Sequence, residues 1–101
     1  MMRYAIFGNV TDTSIFAATV VPKLLELMGS SDAVFMFSDT SGFNILLARF
    51  FNAKQFRNCV IYHVSDTPKH YIGKYRTVGG FSSDADVEMA LKRDAEQIIN
   101  V

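Results

Sequence analysis

Ala33-Val34-Phe35-Met36-Phe37-Ser38-Asp39-Thr40-Ser41-Gly42-Phe43-Asn44 is the stretch on which the fold turns. It opens as a continuous apolar run, the pattern of a strand covered on both faces, here Ala33 to Phe37. Ser38 to Gly42 is small and polar and breaks the run as a loop. Phe43, Leu46, Leu47 and Phe50 then recur at helical spacing, with Phe51 beside the stripe. Strand, polar loop and amphipathic helix in that order are half of a βαβ unit.

The same alternation extends both ways. Tyr4-Ala5-Ile6-Phe7 reads as a buried strand stopped by Gly8-Asn9, and Val10 to Ser14 supplies helix caps. From Ile15 on, Phe16, Val20, Leu24, Leu27 and Met28 keep helical spacing until Gly29-Ser30-Ser31-Asp32. Pro22 lacks a backbone donor, so that helix is expected to kink or split there. On the other side, Cys59 to Val64 is a third strand. Ser65 to Ser82, with Pro68, Gly73, Gly79 and Gly80, reads as a long loop without regular structure. Ser83 caps a helix with Asp84 and Asp86 in its first turn and Val87, Ala90 and Leu91 on its apolar face. Gln97 to Val101 reads as a last strand. Alternation with short links predicts a single domain over 1–101: a Rossmann-like α/β fold with an open parallel sheet of about four strands, helices on both faces and right-handed crossovers.

At 101 residues, half of them apolar and nine of them Phe, the chain can form a core without a disulfide or metal. The apolar excess, and a second helix widened by Phe50 and Phe51, predict a homodimer or higher homo-oligomer seamed through the first two helices. Ten basic against ten acidic residues leave no net charge, which argues against duplex nucleic acid or an anionic membrane surface as partner. Cys59 is the only cysteine and sits in an apolar run, so it reads as a buried, inert thiol in a reducing compartment. Met1-Met2-Arg3-Tyr4 does not start a signal peptide, and no window approaches the ~20 apolar residues of a membrane span. The expectation is a cytoplasmic protein with no membrane partner.

Ligands of an open parallel sheet gather where the carboxyl ends of strands meet helix N-termini. Three loops of this sequence arrive at that edge: Gly8-Asn9-Val10-Thr11-Asp12, Ser38 to Gly42, and the one begun by His63-Val64-Ser65-Asp66. Such residues are also what turns are made of, but three such loops at one edge favour a pocket for a nucleotide-like small molecule. The candidate ligand-binding residues are Gly8, Asn9, Thr11 and Asp12 from the first loop, and Ser38, Asp39, Thr40, Ser41, Gly42 and Asn44 from the second. His63, Ser65, Asp66, Lys69, Tyr71, Gly79 and Gly80 come from the third. The Ser38-to-Gly42 loop opens a helix, so backbone donors there suit an anion. In the third loop Lys69, His70, Tyr71, Lys74, Tyr75 and Arg76 mix positive charge with aromatic rings, which suits a stacked base and a held phosphate, or a solvated surface loop. His63, His70 and Asp66 lack a recognised metal-ligand spacing, and no metal or cofactor is expected. Glu88 and Asp12 read either as an acid/base pair or as a solvated helix carboxylate and a cap.

Ser38 to Asn44 resembles the G-D/G-x-x-G-A-D loop of the SLOG superfamily, the Rossmann-like group that includes the LOG phosphoribohydrolases and the DprA DNA-processing proteins. Ile6-Phe7-Gly8-Asn9 with Asp12 is similar to that family's first strand and turn. Tyr62 to Lys69, continuing to Gly79-Gly80-Phe81-Ser82-Ser83-Asp84, is similar to a branch of small uncharacterised SLOG proteins. The sequence departs from the pattern at Ser38, where the family has Gly, at Phe43, where it has Ala, and at Asn44, where it has Asp. It holds neither the P-G-G-x-G-T-x-x-E stretch nor, up to Val101, the second phosphate loop. The resemblance thus implies a domain that binds a nucleotide or nucleotide-derived signalling molecule, sensing or sequestering it without catalysis. A LOG-type N-glycosidic hydrolase and a protein-interaction module with a vestigial pocket are the alternatives.

Overall fold

The computed structural model describes residues 1–30, 32–70, 73 and 75–101. The apolar runs form β1 (Met2–Phe7), β2 (Ala33–Ser38) and β3 (Cys59–Val64), and the chain's last strand is β5 (Gln97–Asn100). A further strand, β4 (Arg76–Phe81), lies in the segment that the sequence presents as a loop. The sheet therefore has five strands, all parallel, in the order β4-β3-β2-β1-β5. β4 escapes the pattern because an edge strand pairs on one side only and needs no continuous apolar run. Its residues from Arg76 to Gly80 are exposed, and a bulge shifts its register between Tyr62 and Val64.

Pro22 divides the first helical segment as its chemistry requires. α1 (Thr13–Ile15) runs into a π-helical turn, Phe16–Val20, and then into α2 (Val21–Met28), with Pro22 in the first turn of α2. The Val21 amide bonds to the Phe16 carbonyl five residues back, so the wider turn takes up the register that a proline inside an α-helix would break. α3 (Gly42–Ala53) and α4 (Asp84–Asp94) complete the chain, capped by Ser41 and Ser83 in extended backbone.

Alternate strand residues divide between two cores of unequal size. Tyr4, Ile6, Phe35, Phe37 and Ile61 pack under the α1–α3 layer with Phe43, Leu47 and Phe51. Ala5, Met36 and Tyr62 face α4 and meet Val87, Ala90 and Leu91. On the broad apolar side of α3, Phe51 is fully buried within the chain and the half-buried Phe50 lies edge-on to it at 5.4 Å. Cys59 is buried, and desolvation pushes its thiol well up, so it stays protonated, as its apolar run implies. Among the described residues no helix is long and apolar enough to cross a membrane.

Tyr62 ties the α4 face together from below. Its hydroxyl donates to Asp94 Oδ2 at 2.6 Å, and Arg93 Nε donates to Oδ1 of the same carboxylate at 2.7 Å. Arg93 first, and Tyr62 second, hold the Asp94 carboxyl below the usual carboxylate range. A carboxyl depressed by folding contributes stability above its unfolded value near 3.8, and that contribution is lost as pH falls through the folded value. Thermal melts between about pH 6 and about pH 3 are expected to fall less steeply in Asp94→Asn than in the parent chain. Equal slopes would remove Asp94 from the acid sensitivity.

Candidate functional site

The chain moves outward from β1 through β2 and β3 to β4, then returns so that β5 lies on the other side of β1. Such a reversal leaves a crevice at the carboxyl end of the strand where it occurs. A cleft of about 410 Å³ opens there, within the range of small-molecule sites. Its back is the end of β1 (Ile6, Phe7 and Gly8), its floor is the β2–α3 loop, and its far wall is the first two turns of α4.

The floor is a connected polar network. Asn44 Nδ2 donates to Ser38 Oγ at 2.6 Å, and Ser38 Oγ lies 3.0 Å from Thr40 Oγ1. Ser41 is extended, at φ −138° and ψ 166°, which aims its hydroxyl back at the first turn of α3, where it accepts from the Asn44 amide. Asn44 is only 8 % exposed, yet its side-chain amide makes one hydrogen bond of the several it can form. Its oxygen accepts none among the described residues, and Asn44 lines both the cleft and the small void beside it. Asp84 and Glu88, one helical turn apart, form the facing wall. Glu88 is held by Lys92 at 3.0 Å, and Lys92 in turn lies 5.7 Å above the Phe7 ring. Among the described residues, no Lys, Arg or His lines the cleft.

Gly8 is fixed by packing. A Cβ there would stand 2.6 Å from the tip of the Phe43 ring and 2.8 Å from the Val101 carbonyl. The glycine that reads as a candidate ligand-binding residue thus lets α3 close under β1.

No protein-family profile, curated protein or solved structure matches this chain. The cleft is accordingly described by its own side chains. Of the residues that the sequence nominates, Gly8, Ser38, Thr40, Ser41 and Asn44 line it together. The other described ones are placed elsewhere or engaged in packing. Asn9, Thr11 and Asp12 are exposed; Asp12 caps α1 by accepting from the Ile15 amide at 3.0 Å, and Gly42 faces the Thr11 side chain. Asp39 is buried and accepts from the Lys69 backbone amide, so it anchors the loop after β3. The void on that side, between Phe37, Asp39, Asn44 and His70, is about 10 Å³, room for no more than one water. Lys69 and Asp66 are exposed on the same loop.

His63 is buried with its ring beneath Gly79, and its Nδ1 lies 3.2 Å from the Val64 carbonyl oxygen. Ser65 takes a left-handed φ of 62°, and its backbone pairs with Gly80 and Phe81. Tyr71 lies outside the described residues. Among the described residues, no group of three or more His, Cys, Asp or Glu is placed to hold a metal ion. Asp12 and Glu88 are each engaged separately, on the Ile15 amide and on Lys92. The lining residues that sequence reasoning passes over are Asp84, read there only as complementing the helix dipole, and Glu88 in its place across from Asn44.

Proposed function

We propose that this chain binds a nucleotide-derived small molecule in the cleft beside β1 and releases it unchanged. The observation that carries the reading is Asn44: a nine-tenths buried amide on the floor of a ligand-sized cleft, joined through its nitrogen to the hydroxyls of Ser38 and Thr40. A ligand in the cleft can add a donor to the Asn44 amide oxygen, which accepts no hydrogen bond among the described residues. The hydroxyls of Ser38, Thr40 and Ser41 beside it can each donate or accept, which suits a sugar.

Binding without turnover follows from how the carboxylates are engaged. Glycosidic cleavage needs a positioned acid or base and a group that stabilises developing charge. Asp39 and Asp12 are tied to backbone amides and Glu88 to Lys92, and among the described residues no cation lines the cleft. The competing enzyme reading rests on Asp84 and Glu88 sharing one wall.

Melting temperature measured against nucleosides, nucleotides, cyclic dinucleotides and ADP-ribose tests the proposal, since a ligand at 100 times its Kd stabilises by about 2.7 kcal/mol. The expected result is a shift with at least one compound, recovered intact after denaturation, and an Asn44→Ala variant that still melts cooperatively but binds about tenfold more weakly. No shift across the panel would sink the reading. Release of free base, abolished in Glu88→Gln, would replace it with the hydrolase.

A further inference from the structure

We infer that the flank of α4 facing β4 is the seam of a homodimer, in which α4 packs antiparallel against α4 of a second copy. Among the described residues α4 is the sole helix on its face of the sheet, whereas the α1–α3 layer covers the other. All-parallel sheets occur almost only with both faces covered. Here Val78 is 38 % exposed, and Met89 stands 69 % exposed on the helix itself. Met89 borders a groove of about 550 Å³ between α4 and the end of β4, lined also by Gly80, Phe81, Asp86, Ala90 and Arg93. Arg93 borders the neighbouring hollow over Val60 and Val78 as well.

Symmetry points to the occupant. Asp86, Met89, Ala90 and Arg93 follow helical spacing and share this flank. In two antiparallel copies of α4, the register that sets Asp86 opposite the second copy's Arg93 also sets Met89 opposite its Ala90. The two-fold axis repeats both contacts, so one register pairs every charge and seats each long side chain over a small one. Such self-complementarity is what a two-fold interface requires. Ala90 is buried at the groove floor, which lets the helix axes approach toward the short end of roughly 8–10 Å. Asp86 forms no side-chain ion pair among the described residues. Arg93 gives Nε and Nη2 to Asp94, which leaves guanidinium donors for a second carboxylate. With no net charge, two copies meet without overall repulsion. The seam thus lies on α4 and not on the first two helices, where the sequence places it. The small-molecule cleft lies against the other flank, at Asp84 and Glu88, so the dimer and the binding reading stand or fall separately.

Sedimentation equilibrium from about 10 to about 500 µM tests the seam, a range set by the modest area of one helix flank. The expected result is a reversible monomer–dimer equilibrium. Met89→Glu, Asp86→Lys and Arg93→Glu are each expected to weaken it by about tenfold or more, through a carboxylate in the groove or like charges set face to face. All three positions are exposed, so circular dichroism melts of the variants should stay cooperative. An equimolar mixture of Asp86→Lys and Arg93→Glu chains should regain the parent affinity to within about threefold, because both cross-pairs of that heterodimer are again of opposite charge. Monomer mass throughout the range would overturn the inference. So would a dimer that none of the three changes weakens, or single variants that the mixture fails to rescue.

Discussion

Phe51→Ala is expected to cost about 3–5 kcal/mol, a large part of the total stability of a domain this size. The ring is fully buried and is the hub of the aromatic core. It stacks on Phe35 at 4.9 Å and Phe37 at 5.9 Å, and touches Phe50 at 5.4 Å and Phe56 at 5.6 Å. Truncation loses the transfer energy of the ring and leaves a cavity whose walls are rings from a strand, a helix and a loop, which cannot collapse together. A drop in melting temperature of some tens of degrees follows, at roughly 4–8 °C per kcal/mol. Phe51→Leu should recover more than half of the loss. Phe51→Glu, which from sequence alone would test a dimer seam, should unfold the chain at any protein concentration, because it buries a carboxylate without a partner. Circular dichroism melts check all three. A Phe51→Ala loss below about 1 kcal/mol would mean that the ring is not the hub drawn here.

What was legible in the sequence follows from how completely each element is buried. β1, β2 and β3 are covered on both faces for most of their length, so their side chains had to be apolar throughout and the runs stand out. Pro22 announced the division of the first helical segment because a missing donor leaves few alternatives. β4 was illegible because an exposed edge strand with two glycines satisfies none of the same demands. That one omission also hid half of the cleft. With β4 read as loop, nothing placed the start of α4 at the carboxyl edge; with β4 parallel to β3, its end delivers Ser83, Asp84 and Glu88 to the edge that Ser38 and Asn44 already occupy. The polar loops were correctly located at that edge, yet composition could not separate a residue that lines the cleft, such as Ser38, from one that anchors a neighbouring loop, such as Asp39. That distinction lies in which way each side chain leaves the end of β2.

The adjacent glycines of β4 illustrate the same point and support the sharpest stability test. From sequence both belong to a ligand loop; in the fold each is required for a different physical reason. A Cβ on Gly79 would stand 2.1 Å from His63 Cε1, 2.7 Å from Nε2 and 2.8 Å from the Ser65 carbonyl oxygen. Gly80 has nothing within 4 Å, but its φ of +88° is a conformation that side chains resist. Gly79→Ala is therefore expected to cost about 2–3 kcal/mol by overpacking, and Gly80→Ala about 1–2 kcal/mol by backbone strain. Removing the imidazole separates the two. In a His63→Ala background Gly79→Ala should be relieved by about 1–2 kcal/mol, incompletely because the Ser65 carbonyl remains, whereas Gly80→Ala should cost what it did before. Denaturant melts of the three single and two double variants give both coupling energies. Equal coupling for the two glycines, or none for Gly79, would show that His63 does not fill the space beneath β4, and the packing of this sheet edge would have to be redrawn.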